Sequence, residues 1–225
     1  MLHLKKPRFA RAQLWFWAFV VVLHGLGYGG EGVRINVKDV KLQTLKLPHQ
    51  VTAQIPATWK VQKETEIPDG KAIQMILPYL EADPTPHSAN AAIVVRKLPK
   101  GVDLASFVQT LLSRNQTAPG FTVVTTKKEG EEWQTVFWVA ATDDGTKYPS
   151  MHRFGLHNGV GVELMVNFPM LKNGNPAWIR QTAEQFNHVC DAMKIDGSNK
   201  CSSEFAIEKE ILILRDRETE KNGVK

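Results

Sequence analysis

Cysteine is scarce in this chain: Cys190 and Cys201 are the only two among 225 residues. Two thiols without a nearby paired histidine ligand make a poor zinc site. Long apolar runs are also missing. The longest, Leu14 to Leu23, falls well short of the roughly 20 apolar residues that a membrane-spanning helix needs. No serine sits in a G-x-S-x-G elbow, and neither an H-E-x-x-H pair nor a phosphate-cradling loop of the G-x-x-x-x-G-K type is present. The commonest single-motif enzymes are thereby excluded, and no cofactor is implied.

Acid is absent from residues 1–30, which carry Lys5, Lys6, Arg8 and Arg11 ahead of the apolar block. A basic head followed by a short apolar run has the layout of an export signal. Gly27 and Gly29 offer small residues for cleavage, although no Ala-x-Ala follows, and no cysteine follows to carry a lipid. Two readings stand side by side: a cleaved signal with a periplasmic product, or an uncleaved inner-membrane anchor with the rest of the chain outside the cytoplasm. In the second, residues 1–30 are the sole membrane contact. These four cations account for most of the formal net charge of +5, leaving +1 behind them. Elsewhere the signs are mixed, as in Lys127-Lys128 followed by Glu129, Glu131 and Glu132. A nucleic-acid binder needs a concentrated basic surface, so no nucleic-acid partner is expected.

In an oxidising compartment the two cysteines invite a Cys190–Cys201 disulfide, worth about 3 kcal/mol for so short a loop. A Cys190–His188 thiolate pair is disfavoured, because on a helix the two side chains point about 200° apart.

The periodicity predicts a single α+β domain over residues 31–214 with a charged tail over 215–225. Strands are expected around Val33 to Leu47, Gln50 to Ile55, Lys71 to Leu77, Asn90 to Leu98, Phe121 to Thr126 and Trp133 to Ala141. Asp103 is positioned to cap a helix carrying Leu104, Phe107, Val108, Leu111 and Leu112 at a 3-4 spacing. Asn175-Pro176 opens a second helix, with Ile179, Phe186, Val189, Cys190 and Met193 on its buried stripe and Ala183 allowing close approach. Ile211 to Leu214 lies in an extra strand expected from Phe205 to Leu214. Asp143-Asp144-Gly145 reads as a solvated turn, since it lacks the ligand spacing of a calcium loop. Hairpins dominate, so the sheet is expected to be largely antiparallel.

The stretch HRFGLHNGVGVELMVNF, His152 to Phe168, concentrates polar residues inside strand-like sequence. Asn158-Gly159 marks a hairpin. A three-residue loop, His157 to Gly159, sorts apolar from polar by placing Phe154 opposite Val162 and Arg153 opposite Glu163. In that register Arg153 and Glu163 form a cross-strand ion pair worth about 0.2–1 kcal/mol if exposed. His152 and His157 then diverge, which argues against a shared metal. Trp59, Trp133, Trp138 and Trp178 are expected as core or edge aromatics, and are the candidates for lining a ligand cleft.

VTAQIPATWKVQKE (Val51–Glu64), ANAAIVVRKLPKGVDLASFVQTLLSR, and the hairpin stretch followed by AWIRQTAEQFNHVCDAMKI resemble, in that order, the opening hairpin, the strand-helix unit and the closing hairpin and helix of the PsbP-like fold. The resemblance runs from Val51 to Ile195 and places Trp178 and Phe186 against the sheet. It implies an antiparallel sheet flanked by helices, used mostly for noncatalytic binding or assembly, and carries no functional residue across. The function expected is therefore a noncatalytic, exported protein-binding or assembly domain with a protein partner. Two rival readings stay open: an immunity or inhibitor protein against a secreted toxin, and an envelope enzyme assembled from His87, His152, Asp143 and Asp144.

Overall fold

The computed structural model describes residues 41–78, 88–141, 147–168 and 176–197. In chain order these form β1 (Leu42–Lys46), β2 (Val51–Pro56), β3 (Lys60–Ile67), β4 (Gly70–Pro78), β5 (Ser88–Lys97), α1 (Leu104–Asn115), β6 (Thr122–Glu129), β7 (Trp133–Ala141), β8 (Lys147–His157), β9 (Val160–Asn167), α2 (Pro176–Ala192) and β10 (Lys194–Ile195). Seven strands make one sheet in the order β3-β4-β5-β9-β8-β7-β6, and β1, β2 and β10 make a second. Every pairing is antiparallel. The fold is the expected α+β arrangement, with a helix on either face of the large sheet. A strand does follow the last helix, but it is the short β10, which continues directly from α2. Residues 1–40, Phe205 to Leu214, the tail, Cys201, His87, Asp143 and Asp144 lie outside the described residues.

Local chemistry accounts for the helix starts and for the strand that sequence patterning misses. Asp103 holds an extended backbone and its carboxylate accepts the Ser106 amide at 2.7 Å, closing the first turn of α1. Pro176 opens α2, where its missing amide proton is no loss. β3, Lys-Val-Gln-Lys-Glu-Thr-Glu-Ile, has almost no apolar alternation because it is an edge strand facing solvent.

The large sheet has two covered faces. On the core face, Ile93, Val162, Leu164 and Phe137 pack against Ile55 of β2 and Phe186 of α2. Trp59, beyond β2, donates its indole proton to Gln185 Oε1 of α2 at 2.6 Å, tying the second sheet to the helix inside this core. On the helix face, Phe107, Val108 and Leu111 of α1 cover Val136, Trp138 and Phe154.

The second covered face corrects the hairpin register. The turn is the two-residue Asn158-Gly159, with φ of 49° and 75°, and β8 pairs with β9 as His157↔Val160, Phe154↔Glu163 and Arg153↔Leu164. Phe154 and Val162 therefore occupy opposite faces. Sorting apolar from polar fixes a register only when one face meets solvent. Here both faces are buried, so the criterion has no force, and two residues at positive φ dictate the tight turn. The expected Arg153–Glu163 pair is also corrected, because the two side chains now project from opposite faces.

The disulfide is corrected as well. Cys190 is a free thiol, fully buried on the stripe of α2 that faces the core.

Candidate functional site

β8 and β9 run through the middle of the large sheet, and their polar residues lie beneath its two coverings. His152, Arg153 and His157 each meet a different glutamate. On the helix face, His152 Nδ1 meets Glu163 Oε1 of β9 at 2.7 Å. On the core face, Arg153 reaches across β7 to Glu129 at the end of β6 and donates to Thr135 Oγ1 at 3.0 Å. Its guanidinium lies over Trp133, 5.2 Å from the ring centroid. At the hairpin end, His157 Nδ1 meets Glu132 Oε1 at 2.6 Å. The end of β6 and the β6–β7 turn thus supply two of the three carboxylates, Glu129 and Glu132.

The helix-face cluster extends further. His152 Nε2 lies 3.0 Å from Ser150 Oγ, and that hydroxyl donates to Asn167 Oδ1 at 2.7 Å. The imidazole is held between aromatic rings, Trp138 at 5.2 Å and Phe154 at 5.8 Å between centroids.

Carboxylate to Nδ1 and hydroxyl to Nε2 is the connectivity of a hydrolytic triad. Three observations set this cluster apart from a working one. Ser150 is 0% and His152 2% exposed, so a substrate carbonyl has no route to the hydroxyl. Ser150 lies inside β8, paired with Trp138 on one side and Asn167 on the other, rather than on a turn where amides gather around an oxyanion. Its hydroxyl also has Asn167 Oδ1 at 2.7 Å and the Val166 carbonyl at 3.4 Å as acceptors, which compete with the base for its proton. Among the described residues no group of three or more His, Cys, Asp or Glu could hold a metal ion.

The tryptophans expected as cleft candidates resolve differently. Trp59, Trp133 and Trp138 are all buried core residues. Among the described residues Trp138 Nε1 has no hydrogen-bond partner. The side chain of Trp178 lies outside the described residues. Sequence reasoning missed Ser150, the His152–Glu163 contact and the role of Glu129. The signal was present in part: Ser-x-His on a strand puts both residues on one face, and a two-residue Asn-Gly turn makes Glu163 the diagonal neighbour of His152 on that face.

Burial raises the Cys190 thiol far above its ordinary range, keeping it protonated and inert. Among the described residues no helix is long and apolar enough to cross a membrane.

No protein-family model matches the chain, and no curated protein matches it. Solved structures resemble it weakly. The solution structure of cyanobacterial PsbP (CyanoP) from Synechocystis sp. PCC 6803 shares 12% identity over 73% of this chain and 98% of its own, with a TM-score of 0.46. LpqN of Mycobacterium tuberculosis, involved in cell envelope biogenesis, shares 13% over 67% of this chain and 88% of its own, with a TM-score of 0.43. A Pseudomonas aeruginosa protein of unknown function shares 14% over 56% of this chain and 81% of its own, with a TM-score of 0.36. The chain is therefore weakly similar to several small α+β domains, one of them PsbP-like.

Proposed function

We propose that the chain is a noncatalytic protein-binding or assembly domain of the cell envelope, built on a PsbP-like scaffold and delivered there by residues 1–30. One observation carries the noncatalytic part: the cluster with triad connectivity, Ser150–His152–Glu163, is sealed inside the sheet, out of reach of a substrate. Such a cluster acts as an internal polar clamp between β8 and β9, leaving function to the surface. The basic, acid-free head supports export.

The test is affinity capture from the native envelope in gentle detergent, paired with an ester- and amide-hydrolysis screen of the purified chain. The reading expects a partner at fixed stoichiometry and no turnover. Turnover abolished by Ser150→Ala would overturn it. So would native protein recovered from the cytoplasm with Met1 in place.

A further inference from the structure

Arg96 lies on the helix face of β5, beside α1. Its neighbour across β9 is Gly161. A Cβ there would lie 2.9 Å from Leu98 and 3.0 Å from Phe107, so glycine lets the Phe107 ring descend onto the sheet. The Arg96 guanidinium rests over that ring, 5.5 Å from its centroid. This contact fixes the side chain against α1 but offers no hydrogen-bond acceptor. Nε is buried without a partner, and among the described residues no carboxylate or carbonyl accepts from the guanidinium. Glu163 acts on it through space, its own Oε1 being held by His152. Arg114, in the last turn of α1, follows Phe107 by two helical turns on the same side of the helix. Burial lowers the pKa of Arg96, with Glu163 opposing and Arg114 adding to the effect.

Nε is buried beyond a ligand's reach, so an anion would meet the outer nitrogens, and a guanidinium half removed from water gains from acceptors supplied there. The two outer nitrogens of its planar fork match a carboxylate in two parallel hydrogen bonds. Glu163 beside it disfavours a second negative charge, which selects a monoanion over a dianionic phosphate. We propose that Arg96 and Arg114 form a receptor for an aspartate or glutamate side chain presented by a protein partner, seated at the Phe107 edge between β5 and α1. The proposal rests on the protein-binding reading above and specifies what part of the partner is recognised.

The test is a titration of the full chain with a capped tri-glutamate peptide, followed through the arginine Nε–H signals by NMR. Capped tri-glutamine and inorganic phosphate serve as comparison probes. Tri-glutamate is expected to shift the Arg96 signal, with affinity falling at least tenfold in Arg96→Gln and several-fold in the surface variant Arg114→Gln, and weakening as salt rises. Equal shifts with tri-glutamine overturn the proposal. Phosphate binding without tri-glutamate binding, or unchanged affinity in both variants whose spectra are otherwise native, overturns it too. A partner captured equally well by Arg96→Gln protein removes the receptor and leaves the binding reading standing. Absence of any partner removes that reading, while the titration still decides the site.

Discussion

Arg153 places a full charge in the main core with 2% of its surface exposed, matched by a Glu129 side chain that is 7% exposed. Removing Arg153 takes the guanidinium away from a buried carboxylate, leaving Lys127 Nζ 3.7 Å from Glu129 Oε1 as a more distant counter-charge. Arg153→Ala is therefore expected to lower stability by about 3–5 kcal/mol, read from urea unfolding. The double variant Arg153→Met with Glu129→Leu should recover most of that loss, because an apolar pair needs no compensation there. A single-variant loss below about 1 kcal/mol would mean water reaches the pair. Cys190 makes the opposite choice, staying neutral. Native protein should resist iodoacetamide at this thiol and react only after denaturation. The folded pKa lies above the unfolded value, so this contribution to stability is complete below about pH 8.5 and declines as pH rises past it. Cys190→Ala should remove that part of the alkaline decline, measured by the urea midpoint across pH.

At the scale of elements, the β8–β9 hairpin and α1 each depend on one local feature. Gly159 at φ 75° closes the turn. Gly159→Val is expected to cost about 1–2 kcal/mol, since a β-branched residue is strained in the left-handed region. Preserved cross-strand nuclear Overhauser contacts should show the register intact, held by packing on both faces; a slipped register would contradict that account. The Asp103 carboxylate is held below its ordinary range by the Ser106 amide it accepts. Its capping is complete above the ordinary carboxylate pKa and lost as pH falls through the folded value. Amides in the first turn of α1 should therefore exchange faster in acid, and Asp103→Asn should flatten this dependence. Equal acid sensitivity in the two proteins would locate the cause elsewhere.

For the whole molecule, the order β3-β4-β5-β9-β8-β7-β6 sets a gradient from a doubly covered centre to two open edges. Both edge pairings carry a bulge, between Val61 and Lys63 and between Val123 and Thr125. The exposed large apolar residues, Val61 and Val123, stand at these bulges, 42% and 40% exposed. Bulges and lysines along an edge discourage strand addition by another chain. Native-state hydrogen exchange should find β8 and β9 opening only with global unfolding, and β3 opening locally at much lower cost. Protection of β3 equal to that of β8 would show that the edge is covered in solution.

Where a rule is local, the sequence sufficed. Asp103 and the 3-4 spacing behind it locate α1, β7 begins and ends where its apolar run does, and Asn-Gly marks the hairpin. The charged edge strand β3 escaped because almost all of its residues meet solvent, on both faces, so no apolar alternation marks it. Only the tertiary structure decided that β8 and β9 are covered on both faces, which removed the basis for choosing the looser turn. It also decided which carboxylate each cation takes. Arg153 and Glu129 are 24 residues apart, and His157 and Glu132 are 25 apart. Their meeting depends on strand order across the sheet, a property of long-range pairing that no nearby spacing encodes.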